Sequence, residues 1–217
     1  MDVSVLHTLT EDLAAFLSEV TLGDLTCAVP CTAGDVGDLY LCLVDRSLTV
    51  ATAITGDEIT PGQWNGPTGR AALAASADGC HGGAGLEVGY RRAARLMENA
   101  FAAATATSRL ARPQAPSAEA DVAFLYEEQI SSTVLHTWDI AQALDLPYRP
   151  APDITQRMLR NAVLLRTTQP ESSTGTWSTE IDNARAFDCM LTLSHRTNRS
   201  RTGTDAHSAH PEGARRG

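Results

Sequence analysis

Apolar residues recur along this chain at three- and four-residue spacing, and no alternating strand-like run competes with that pattern, so helices are what the chain has for burying them. Leu9, Leu13, Phe16, Leu17 and Val20 form such a stripe, with Thr8 and Glu11 spaced as a capping box, which predicts a first helix over Thr8 to Val20. A loop over Gly23 to Gly34 leads to a second helix from Asp35 to Thr55, stopped by Gly56. Asp57 to Gly85 carries the least regular pattern, a long glycine- and proline-punctuated connection with a short helical piece around Ala71 to Ala75. Helical spacing resumes at Leu86 and continues through Ala104. The longest candidate helix runs from Ser117 to Leu144, between Pro116 and Pro147. Pro152-Asp153 suits the first turn of another helix reaching about Arg166, and Ile181 to Leu193 closes the folded part. The reading is all-α, with a helical domain over 1–195 and a disordered polar tail over 196–217.

Chemistry is constrained first by what is missing. All 17 basic residues are arginine, so no Schiff-base lysine and no P-loop lysine operates in this chain. A formal charge of -9 disfavours nucleic acid and anionic membrane surfaces as partners. No apolar run has the length of a membrane span, and Met1 to Leu6 lacks the basic and apolar parts of a secretory signal, so cytoplasmic residence is expected. Five cysteines, an odd number, are expected as free thiols. Cys27, Cys31, Cys80 and His81 offer a zinc-ligand set, although the Cys-x3-Cys spacing is looser than that of zinc knuckles.

Three segments together resemble the DinB-like superfamily, in the branch of mycothiol-dependent maleylpyruvate isomerase-type proteins of actinobacteria. Pro30-Cys31 followed by Asp35-Val36-Gly37-Asp38-Leu39 is similar to that family's entry into its second helix. Leu135-His136-Thr137-Trp138-Asp139-Ile140-Ala141 is similar to its H-x-W-D-L-A signature and is the most specific of the three. Ala186-Phe187-Asp188-Cys189-Met190-Leu191 is similar to its closing segment. The resemblance implies an up-down four-helix bundle, with extra C-terminal helices, around a divalent metal. The metal's ligands in such proteins are a histidine on the second helix and a Glu-x3-His or His-x3-His pair on a later one. Residues four apart share a helical face, about 5–6 Å apart at Cβ, which suits chelation.

Laid on this sequence, the resemblance keeps one ligand of three. His136 matches the last histidine, Ser132 stands where the family has glutamate or histidine, and Cys42 stands for the second-helix histidine. Gly34 takes the place of a loop tryptophan. These departures fall around one cavity and imply a rebuilt pocket.

Three roles stay open for His136: a metal ligand with Cys42, a buried histidine bonded to a neighbour, or a general acid–base group without metal. Cys42 is a nucleophile or a packing residue. Asp139, three residues beyond His136, either orients the imidazole or sits on the helix surface. Glu128, Ser132, His136 and Asp139 form a polar stripe that faces either the core or solvent. His136, Glu128, Asp139 and Cys42 are therefore the candidate catalytic residues. Gly34, Ser132, Trp138 and Asp38 are the candidate pocket residues.

The expected function is a small-molecule enzyme using the bundle cavity without a cofactor or bound metal: an isomerase, cyclase or group transferase of actinobacterial specialised metabolism. Two alternatives remain open. One is a metal-dependent isomerase or S-transferase holding zinc or another divalent ion through Cys42 and His136, with mycothiol as cosubstrate. The other is a non-catalytic small-molecule binder. The expected partner is a small-molecule substrate, not nucleic acid or membrane, and a homodimer is left open.

Overall fold

The computed structural model describes residues 1–30, 34–57, 69, 73, 85–104, 121–167 and 183–193. Six α-helices carry these residues: α1 Ser4–Ser18, α2 Val36–Thr55, α3 Leu86–Ala103, α4 Val122–Ala143, α5 Pro152–Thr167 and α6 Asn183–Leu193. No β-strand occurs among them, and the fold is all-α. None of the helices among the described residues is long and apolar enough to cross a membrane.

The helix boundaries follow from local chemistry. Asp35 caps α2 by accepting the Asp38 N–H at 2.9 Å, and Gly56 ends it at φ 78°, donating its N–H to the Thr52 carbonyl. Asp121 caps α4 through the Phe124 N–H at 2.8 Å. That helix closes with the Leu146 N–H on the Ala141 carbonyl (2.8 Å) and the Asp145 N–H on that of Gln142 (3.3 Å), the paired bonds of a Schellman motif.

α1 differs from expectation at both ends. It starts at Ser4, whose N–H is met by Asp2 Oδ1 at 2.9 Å, and stops at Ser18. Thr8 lies inside the helix, its hydroxyl donating to the Ser4 carbonyl at 3.0 Å instead of capping. The expected loop after α1 contains a 3-10 helix, Leu22–Thr26, held at its start by the Asp24 carboxylate on the N–H and hydroxyl of Thr21. The tail after 195, most of the Asp57–Gly85 connection and residues 117–120 lie outside the described residues.

Side-chain contacts fix the helix directions. His7 meets Glu98 and Glu11 pairs with Arg91, so α1 and α3 run antiparallel. The Tyr126 hydroxyl donates to the Asp2 carbonyl, and Phe16 packs edge-on against Tyr148 beyond the end of α4, so α1 and α4 run together. Near the start of α2 the Tyr40 hydroxyl donates to the carbonyl of Leu86, the first residue of α3. Farther along, Val50 shares a core with Met97 and Phe101, so α2 and α3 also run together. α4 is therefore antiparallel to α2. A plain up-down order would set α2 against α3. Gly56 instead ends α2 far from where Leu86 begins α3, which requires a long crossover connection.

Two apolar clusters stack along the helices. One gathers Leu13, Leu17, Val36, Leu43, Leu86, Tyr90 and Ile140. The other gathers Leu6, Leu9, Val50, Met97, Phe101, Ile130 and Trp138, and extends to Met158 of α5 and Phe187 of α6. α5 is tied to α4 by Arg157, which grips the Glu127 carboxylate through Nε at 2.8 Å and Nη2 at 2.5 Å and lies over the Tyr126 ring.

Candidate functional site

On α4 the residues Glu128, Ser132 and His136 follow one another at four-residue intervals, which aligns them along one helical face. Ser132 Oγ lies 3.3 Å from His136 Nδ1, and both residues are half-buried. Glu128 is exposed and accepts Arg46 Nη2 from α2 at 2.8 Å. The same arginine donates through Nε to the amide oxygen of the buried Gln129 at 3.1 Å. Behind this face Gln129, Thr133 and Thr137 form a second, buried polar row. The hydroxyls of Thr133 and Thr137 donate at 2.8 Å to the carbonyls of Gln129 and Thr133, which spares them a desolvation cost.

The antiparallel register puts a stripe of α2 opposite this one. Arg46 stands level with Glu128 and Gln129. One step of four residues back along α2 reaches Cys42, level with Ser132, and the next reaches Asp38, level with His136, each step rising about 6 Å. Cys42 and Asp38 are exposed, and α2 packs far more sparsely on α4 than on α3. Of the eight residues singled out in the sequence, Glu128, Ser132 and His136 therefore share one face of α4, and Asp38 and Cys42 lie on the stripe of α2 that carries Arg46.

The other three lie elsewhere. Asp139 is fully buried, inside the helical packing, while His136 remains at the margin. Trp138 sits two residues from His136, roughly 200° around the helix, and faces away from the seam. It is buried in the second cluster and walls a cleft of about 340 Å³ between the end of α4 and α6, together with Tyr148 and Phe187. Gly34 belongs to the loop before α2, its carbonyl 3.4 Å from the Val29 N–H beside an isolated bridge between Ala28 and Asp35.

Cys42 and His136 are the described residues that could hold a metal at the seam. With them stand the Ser132 hydroxyl, which lies against the imidazole, and, on the α2 stripe that carries Cys42, the Asp38 carboxylate. Among the described residues no three or more His, Cys, Asp or Glu side chains gather into a metal site. The described cysteines Cys27, Cys42 and Cys189 are free thiols. Cys31, Cys80 and His81 lie outside the described residues.

Sequence reading missed the polar contacts between α1 and α3. Glu98 is almost fully buried there, with Thr10 Oγ1 2.5 Å from one carboxylate oxygen and His7 Nδ1 3.0 Å from the other. Tyr90 is buried nearby, and burial, reinforced by the Glu98 and Glu11 carboxylates, pushes its phenol far above the ordinary range. The available signal was Glu98 itself, an acid within the apolar stripe Ala94, Met97, Phe101. Burial likewise pushes the Tyr40 phenol up to about 12, with Glu87 adding to the shift.

The chain matches no family model, no curated protein and no solved structure. The described residues form a helical bundle with a polar seam between α2 and α4 and an aromatic-walled cleft against α6.

Proposed function

We propose that this chain is a DinB-like small-molecule enzyme of the cytoplasm that works from the seam between α2 and α4, with His136 as its acid–base group and without a bound metal. The observation that carries this reading is the half-buried imidazole of His136 with Ser132 Oγ 3.3 Å from its Nδ1, in a seam where Cys42 of the facing helix is exposed. The hydroxyl orients the ring, and a positioned imidazole serves as a general acid or base. Isomerisation and cyclisation require little more than a proton taken from one substrate atom and returned to another, so one acid–base group in a shaped, partly dry seam suffices. Group transfer from an exposed thiol is the additional chemistry that Cys42 would supply.

The test is conversion of a cofactor-free metabolite extract by the purified chain, followed by mass spectrometry, beside a His136→Gln variant shown to be folded. The expected result is loss of a metabolite with gain of an isomer of equal mass, slowed at least about 100-fold in the variant. Equal conversion by both proteins would sink the acid–base role of His136. Conversion that requires added divalent metal and a thiol cosubstrate would favour the mycothiol-dependent reading. A ligand retained and released unchanged would favour a non-catalytic binder.

A further inference from the structure

The cleft walled by Trp138 lies on the side of α4 away from His136, and its chemistry is independent of the seam. Its walls are three aromatic rings from three elements: Trp138 of α4, Tyr148 of the segment before α5 and Phe187 of α6. Its polar lining is Gln142, Arg149 and Asp188. Among the described residues none of these three side chains makes a hydrogen bond or ion pair, and the two opposite charges do not pair with each other although they line one cleft. The Tyr148 hydroxyl, near Thr137 and Asp12 of α1, is buried without a hydrogen-bond partner, and the Thr137 hydroxyl is donated to the Thr133 carbonyl. Burial and the Asp12 carboxylate, offset in part by Thr137, keep Tyr148 a neutral phenol.

We propose that this cleft is a binding site for a small aromatic zwitterion, of the class of an aromatic α-amino acid. The rings supply an apolar slot for a planar group. Arg149 offers a planar, two-pronged partner for a carboxylate, and Asp188 an acceptor for an ammonium. A volume of about 340 Å³ admits a molecule of amino-acid size and is too small for a dinucleotide. A ligand with both charges satisfies two groups that are unpaired among the described residues, whereas a singly charged analogue satisfies one.

Calorimetric titration of the full chain with L-phenylalanine, L-phenylalanine amide and 3-phenylpropionate tests the site. Saturable binding of L-phenylalanine at one equivalent is expected, with each analogue about tenfold weaker. Arg149→Ala should weaken L-phenylalanine to the level of its amide, and Asp188→Asn should weaken it to the level of 3-phenylpropionate. Both positions are exposed, so these variants keep the fold, which circular dichroism verifies. The proposal is overturned if L-phenylalanine and L-tryptophan both fail to bind saturably. Analogues that bind as tightly as the zwitterion, or variants that bind like the parent, overturn it equally.

Discussion

Gly89 of α3 lies directly against the hydroxyl of Tyr40 on α2: a Cβ at residue 89 would stand 2.5 Å from Tyr40 Oη. That hydroxyl is pinned by its bond to the Leu86 carbonyl at 3.1 Å, and the Tyr40 ring is buried, so it has little room to retreat. Gly89→Ala should therefore cost about 1–3 kcal/mol, even though alanine is ordinarily favoured over glycine inside a helix by about 1 kcal/mol. Tyr40→Phe removes the obstructing atom. In that background the same Gly89→Ala change should turn neutral or stabilising. Urea denaturation of the four proteins in this double-mutant cycle measures the reversal, and additive effects would show that the two residues do not interfere.

Arg46 should matter for stability more through Gln129 than through Glu128. The Arg46 and Glu128 side chains are 31% and 47% exposed, and pairs of that kind contribute about 0–1 kcal/mol. Gln129 is buried, and losing the arginine leaves its amide oxygen unmet inside the packing. Arg46→Met is expected to lose about 1–2 kcal/mol, while Glu128→Gln loses less than about 0.5 kcal/mol. Equal losses in a denaturation experiment would mean that the ion pair dominates.

These contacts show where sequence reading reaches and where it stops. Capping residues act within one turn, so Asp35, Gly56 and the Pro152-Asp153 start were legible. The Thr8–Glu11 pattern misled because its hydroxyl found a carbonyl one turn back inside a helix that had already begun. The alignment of Ser132 with His136 needs one helix only and could be read from spacing. That Trp138 and His136 diverge also follows from a helix turning about 100° per residue. Placing Cys42 level with Ser132 requires knowing that α2 opposes α4, and that register is set by tertiary packing. The aromatic cleft is less legible still, because Trp138, Tyr148 and Phe187 come from three separate elements.

Asp145 holds a left-handed conformation, with φ 55°, at the position after α4 where glycine is favoured. The two Schellman bonds from Asp145 and Leu146 hold the backbone there despite the strain of a side chain. Asp145→Gly is expected to stabilise the fold by up to about 1 kcal/mol, and Asp145→Val to destabilise it by at least as much. Thermal melting of both variants checks the sign. A glycine variant less stable than the parent would show that the aspartate side chain contributes more than its backbone conformation costs.

Glu127 should govern part of the acid limb of stability. Hydrogen bonds from Arg157 hold its carboxyl below the ordinary glutamate value of 4.5, opposed by partial burial and helped by Asn161 Nδ2 at 2.6 Å and by the charges of Arg157 and Arg160. A carboxyl whose folded value is depressed stabilises the fold fully above its unfolded value, and that stabilisation disappears as pH falls through the folded value. The window thus opens near pH 4.5 and extends downward. Because the Glu127 side chain is still 30% exposed and its partner Arg157 29%, solvent screening keeps its contribution to about 1 kcal/mol. Glu127→Gln should be less stable than the parent by about that amount at pH 7, with the difference shrinking below pH 4.5 until the two proteins unfold alike. Denaturation midpoints measured from pH 7 to pH 3 test this. A gap that stays constant across the range would show that packing of the Glu127 side chain, not its charge, ties α5 to α4.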